Sequence, residues 1–450
     1  MVGRIGGPER TGETSPAWPF SPGRHRPADP APSFAALLEA SGPPAAGGQA
    51  GVFFRGHPSP PAQAGGPGPF WSSVSGRRME ATPALAPTAS RQPATGFFIG
   101  GRFVHSPSPA TGKAPTEPLG RPPAPDPLAA RLAATEPART RPGPLPLEAY
   151  PRPPGDNGRG IHWVPTTRSS REVVDRFLKE AAAMGMKWVV FLNDGADIGQ
   201  NDYLVEQIVA HGMMPVMRIY TPGVGPIPGD LGAMVRHYVQ RGVRYFQIYN
   251  EPNLRAENFG QAPDVERYLD YWLPAAQVVA ANGGLPGFGA LAPGGDYDDL
   301  AFLRQALASI KRRGMVHVLD RAWISLHNYT LNHPPEYTRD SNGFLKFRWY
   351  DRIVREVLGR SLPIIGTEGG TYVGAHEDKT YPPVSEADQV RWVLNAYRYM
   401  RQAEPYFFAY TYWVIANEEG GGTDPAFRHQ ALFQPGGRVS PLVAALKALR

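Results

Sequence analysis

Two glutamates could carry chemistry in this chain: Glu251, in "YNEPN", and Glu368, in "PIIGTEGG". Each closes an apolar run. Pro252 locks the backbone after the first, and Gly369-Gly370 leave it open after the second, where small residues would let a sugar ring approach closely. Two carboxyl groups facing one pocket can cleave a glycosidic bond, one protonating the leaving oxygen while the other attacks the anomeric carbon or activates a water. A gap of about 5–5.5 Å suits the retaining course and about 6.5–9.5 Å the inverting one. Taken singly, either residue is equally an ordinary strand-end carboxylate in a solvated turn. The chemical reading requires elements that bring both to one mouth.

The pattern from Gly160 onward supplies such elements. Short apolar runs occur at 161–164, 187–192, 214–219, 245–249, 288–292, 322–329, 363–368 and 407–414. Segments of helical period lie between them, at about 170–184, 202–211, 230–241, 264–282, 298–313, 346–359, 385–402 and 439–449. Ser169-Ser170, Asp230 and Ser385 precede helices as N-caps, and Gly185, Gly212, Gly242, Gly314 and Gly359 follow helix ends. Eight strand–helix pairs predict an α/β chain folded as a closed (β/α)8 TIM barrel. An open doubly wound sheet is the rival, but neither GxGxxG nor GxxxxGK[ST] is present to support it.

In such a barrel the strands' C-terminal ends form the site. The polar and aromatic residues there are His162, Arg218, Tyr220, Asn250, Glu251, His327, Tyr329, Glu368 and Trp413. Glu251 is expected to carry a proton beside the charge of Glu368, which Arg218 or Tyr329 would keep ionised. Asn250 could hold the sugar 2-hydroxyl. Tyr412 and Trp413 cannot both face the mouth, because a strand alternates its faces; Trp413 is the better sugar platform. His162 and His327 read as hydrogen-bond partners, since no HExxH or paired-histidine spacing implies a metal; no cofactor is expected.

Composition separates residues 1–154 from 155–450. Roughly 30 of the 51 prolines fall in the first part, a Pro/Gly/Ala-rich segment expected to be mostly disordered. Within it, "SFAALLEA" could form a short helix and "GFFIGGRFVHS" a hairpin turning at Gly100-Gly101. That part holds 15 Lys and Arg against 9 Asp and Glu, leaving 31 of each sign in the rest. The basic excess therefore lies outside the barrel, and nucleic acid is not an expected partner. Zero cysteines exclude disulfides and thiolate chemistry. No run approaches the ~20 apolar residues of a membrane span. No secretory signal is recognisable, so location is left open, with an extracellular site compatible with the substrate class. Oligomeric state is not readable.

The quoted motifs resemble those of clan A glycoside hydrolases, with a looser likeness to families 39 and 5. The resemblance rests on "YNEPN" ending a fourth strand, "HNY" a sixth, "TEGG" a seventh and "YWV" an eighth, and it covers about residues 160–450. It implies a retaining (β/α)8 enzyme acting on an oligo- or polysaccharide, with Glu251 as acid/base and Glu368 as nucleophile. Asn250 matches the Asn before the acid/base, Tyr329 or His327 the group steadying the nucleophile, and Trp413 the tryptophan under the sugar. A carbohydrate-binding barrel without chemistry and a transglycosylase with the same residues are the alternatives.

Overall fold

The computed structural model describes residues 143–449, except 377, 418–426 and 428–429, together with an antiparallel strand pair, Gly96–Ile99 with Arg102–His105. That pair matches the expected hairpin strands. The possible helix at "SFAALLEA", and the disorder expected of the N-terminal segment, lie outside the described residues.

Eight parallel strands close into a barrel: β1 (Arg159–His162), β2 (Trp188–Asp194), β3 (Met214–Tyr220), β4 (Tyr245–Ile248), β5 (Leu285–Phe288), β6 (Trp323–Tyr329), β7 (Ile364–Gly370) and β8 (Phe407–Tyr412), with β8 pairing back to β1. Helices follow each strand: α1 (Arg171–Ala183), α2 (Asp202–Ala210), α3 (Leu231–Gln240), α4 (Val265–Ala281), α5 (Asp299–Arg312), α6 (Phe347–Leu358), α7 (Glu386–Tyr399) and α8 (Pro441–Ala448). Ser170 and Asp230 cap α1 and α3 through their side chains, and Ser385 forms a capping box with Asp388 on α7. Gly359 ends α6 in the left-handed conformation, as its position predicted.

The fifth strand is displaced from its expected place at 288–292 to Leu285–Phe288. Pro286 and Gly287 argue against a strand on propensity. Tertiary packing overrides this, because the Trp323 indole lies where a Cβ on residue 287 would stand. Residues after the strand still pair: Ala290 bridges Asn250, and its carbonyl accepts the Glu251 amide at 2.8 Å.

Inside the barrel the side chains form two layers of opposite character. The lower layer is aromatic, with Trp188, Tyr245, Trp323 and Phe408 meeting at centroid distances of 5.5–6.5 Å. Residues 145–156 close the base and satisfy the polar ends of these rings. Tyr245 Oη donates to the Pro151 carbonyl at 2.6 Å, and Trp188 Nε1 donates to Asp156 at 2.8 Å. Tyr150 packs on Phe408 and donates to the Ala322 carbonyl at 2.9 Å. Composition places 143–154 with the Pro-rich segment, yet the stretch from Leu145 packs as part of the barrel. The upper layer is polar and holds the candidate site.

Tyr150→Phe should lose about 1 kcal/mol through its hydroxyl. Tyr150→Ala should lose roughly 3 kcal/mol as the base opens, both measured by urea unfolding.

Candidate functional site

Strand geometry explains which side chains reach the upper layer. Along β3, Met214 and Val216 fill the interior, and alternation carries Arg218 inward above them. Along β6, Trp323, Ser325, His327 and Tyr329 follow the same rule. Alternation alone would bring neither Glu368 nor Asn250 there.

On β7, Ile365 faces the interior, so Glu368 should turn outward. The register slips between Leu326/Gly366 and His327/Glu368, so a bulge at Thr367 brings both Thr367 and Glu368 inward. At the end of β4, Tyr249 adopts φ 63° and Glu251 φ 39°. The Tyr249 ring goes outward to Tyr268 on α4, and its hydroxyl donates to the Gly225 carbonyl. Asn250 and Glu251 thereby turn into the mouth. Non-glycine residues at positive φ cost of order 1–3 kcal/mol each, and such strain gathers at functional sites.

The result is a linked pair of carboxyl groups. Glu368 Oε1 accepts from Arg218 Nη1 at 2.6 Å, and Oε2 accepts from Tyr329 Oη at 2.7 Å. His327 lies between the glutamates, with Nδ1 2.9 Å from Glu251 Oε1 and Nε2 3.4 Å from Glu368 Oε1, the latter without hydrogen-bond geometry. Burial, then the adjacent Glu368 charge, push the Tyr329 phenol well above its ordinary range, so it acts as a donor.

His162 ends β1, with Nδ1 2.8 Å from the Trp163 carbonyl, and its ring sits 4.2 Å from the Trp413 ring. Burial lowers it to about 3, so the ring is neutral, with Nδ1 protonated and Nε2 left as an acceptor. Trp413 also touches Phe427 at 5.4 Å, while Tyr412 packs outward and donates to Gln430. Tyr220 closes β3 half-buried, its phenol raised by burial and by the charges of Glu257 and Asp194.

Glu251 is 1% exposed and Glu368 is 0%. Five buried polar atoms around them have no hydrogen-bond partner in the protein: Glu251 Oε2, His327 Nε2, Arg218 Nε, His162 Nε2 and Trp413 Nε1. Buried groups without partners are costly, and a hydroxyl-rich ligand would supply the missing bonds. Among the described residues no group of three His, Cys, Asp or Glu could hold a metal ion, and no helix is long and apolar enough to cross a membrane.

Two expectations change. Gly369 and Gly370 do not clear space for a sugar: a Cβ at either position would strike the Tyr410 or Tyr412 ring of β8. Asn250 is the second, because it is engaged on both sides, with Nδ2 3.4 Å from Glu257 Oε1 and Oδ1 3.4 Å from Gln247 Nε2. Gln247 continues to Ser325 at 3.0 Å, and Ser325 to Thr367 at 2.7 Å. Sequence reasoning missed Gln247, Ser325, Thr367 and Glu257. A polar residue at an inward position of an apolar strand was the available signal for Gln247 and Ser325; Glu257 carries none.

No family model and no curated protein matches the chain. Among solved structures, it is similar to a GH128 (subgroup II) endo-beta-1,3-glucanase from Pseudomonas viridiflava, at 17% identity and TM-score 0.46, over 66% of this chain and 98% of that one. A family 39 glycoside hydrolase from Bacteroides cellulosilyticus WH2 aligns at 14% identity and TM-score 0.45, over 68% of this chain and 65% of the other. Bacteroides uniformis beta-glucuronidase 2 aligns at 14% identity and TM-score 0.44, over 65% of this chain and 35% of its own length. Likeness at this level bears on neither activity nor substrate.

Arg218→Met should cost roughly 3–5 kcal/mol by urea unfolding, since it leaves Glu368 buried without its cation. Gly369→Ala should cost about 1–3 kcal/mol by overpacking against Tyr410.

Proposed function

We propose that this chain is a retaining glycoside hydrolase acting on β-linked sugars of an oligo- or polysaccharide. The observation that carries the reading is one carboxylate held by a guanidinium and a phenol, beside an imidazole that is hydrogen-bonded to a second carboxyl with an unpartnered oxygen.

The roles follow from the surroundings. Glu368, with its charge held by Arg218 and Tyr329, attacks the anomeric carbon. Glu251 protonates the leaving oxygen through Oε2, the atom with no partner in the free protein. The C–O bond to the leaving group breaks as the bond to Glu368 forms, which gives a glycosyl-enzyme ester. Glu251, now ionised, takes a proton from water, and that water displaces Glu368 with a second inversion. The His327 bond to Glu251 keeps the acid in line with the bond it cleaves. Trp413 supplies an aromatic face for sugar C–H bonds and an indole N–H for a hydroxyl; His162 Nε2 accepts from another. No metal or organic cofactor enters this chemistry.

Glu368→Gln should lower turnover of aryl β-glycosides and polysaccharides by roughly 10⁴-fold or more while the circular dichroism spectrum is unchanged. Glu251→Ala should retain far more activity on substrates with acidic phenol leaving groups than on natural glycans, because those groups depart without protonation. Proton NMR of the first-formed product should show the β anomer. An α anomer would remove the retaining assignment, and sugar binding without turnover across a broad glycan panel would favour a binding protein.

A further inference from the structure

Glu257 is a buried carboxyl that the two-glutamate mechanism leaves without a task. It lies six residues beyond Glu251, on the 3-10 turn Ala256–Asn258, and is 6% exposed. Its backbone carbonyl accepts the Val224 amide at 2.8 Å, which joins the loop after β4 to the loop after β3. Asn258 clamps the turn from the other side, donating to Pro252 at 2.8 Å and Leu254 at 2.7 Å, and its own carbonyl accepts from Arg267 at 3.0 Å. With the backbone held on both sides, the side chain stays in the mouth instead of reaching bulk water.

The charges around it do not balance a third carboxylate. The groups facing Glu257 are Glu251, Glu368, Arg218 and the Tyr220 phenol, besides the Asn250 amide 3.4 Å from Oε1. Arg218 is the only cation among them, and it is already bound to Glu368 at 2.6 Å. His162, in the same mouth, is neutral. An ionised Glu257 would be a buried charge with no counter-ion, beside two other carboxyls. Burial, then repulsion from Glu251, push Glu257 up to about 8.

We propose that Glu257 is a positioning residue of the site, whose side chain accepts from the Asn250 amide beside Glu251 and whose carboxyl stays in the acid form, leaving negative charge to the reacting pair. The contact propagates. Glu257 meets Asn250, Asn250 meets Gln247, Gln247 meets Ser325, and Ser325 meets Thr367, the residue before Glu368. The chain of contacts thus runs beneath the site from one glutamate's loop to the other's strand. Loss of the Glu257 proton would put an uncompensated buried charge beside Glu251. The effect on rate rests on the glycosidase reading; the buried acid does not.

Glu257→Gln keeps the shape and cannot ionise. In a glycosidase, the wild-type rate should fall above about pH 8, and this variant should shift that limb upward by roughly one pH unit, at the expense of less than tenfold in kcat near neutrality. Glu257→Ala should lower kcat by about 10- to 100-fold, with a smaller change in KM, because Asn250 loses its partner. The infrared difference spectrum between wild type and Glu257→Gln should show one protonated-carboxyl stretch at pH 7 that vanishes by pH 9. A stability measurement supplies a second readout. Between the ordinary glutamate range of 4.5 and about 8, folded Glu257 holds a proton that the unfolded chain releases, so its contribution declines as pH rises. The Tm advantage of Glu257→Gln over wild type should therefore grow from pH 5 to pH 8. Absence of the protonated band at pH 7, or superimposable pH profiles of the two proteins, would overturn the proposal. The band in a protein that cleaves no glycoside would support the buried acid and count against the glycosidase reading alone.

Discussion

A guanidinium and a carboxylate that start 150 positions apart meet across the barrel, from β3 to the opposite strand β7, with both side chains almost wholly shielded from water. The other features of the mouth answer to this contact. Breaking such a pair leaves a charge with neither water nor partner, so the two strands must hold their positions relative to each other. Arg218 also limits the charge the pocket can carry. With one guanidinium committed to Glu368, neighbouring groups are stable when neutral, as His162 is, or when hydrogen-bonded, as Glu251 is to His327.

The aromatic lower layer makes this polar upper layer tolerable. Trp188, Tyr245, Trp323 and Phe408 fill the base, and the polar ends of the two tryptophans and the tyrosine are satisfied there, so this layer makes no demand on the groups of the mouth. Strain can then be stored above. The bulge at Thr367 departs from regular strand geometry where Glu368 must turn inward, and the left-handed Tyr249 and Glu251 depart from it where Tyr249 turns outward and Asn250 inward. A regular barrel with the same residues would present Tyr249 to the interior and direct Glu368 toward the helices. The irregularities create the site.

Much of the fold was legible because its signals are local. Ser170, Asp230 and Ser385 announce helices by chemistry that acts within three residues, and Gly359 ends one in the same way. The fifth strand was misplaced for the converse reason. Gly287 looks wrong for a strand until the Trp323 indole, far along the chain, is seen to need the space. Gly369 and Gly370 were misread likewise, since the tyrosines they accommodate belong to β8.

The order of residues alone carries the strand and helix count, the helix ends and the presence of Glu251 and Glu368 at strand ends, because apolar period and capping are written over short spans. It also indicated Arg218 and Tyr329 as groups able to hold Glu368. Tertiary contacts alone place His327 between the two glutamates and bonded to Glu251, set Asn250 between Gln247 and Glu257, and turn Glu368 inward through a bulge. Those outcomes depend on register between strands distant in the chain and on which charges share one dry space. Neither quantity has a local signature in the order of residues.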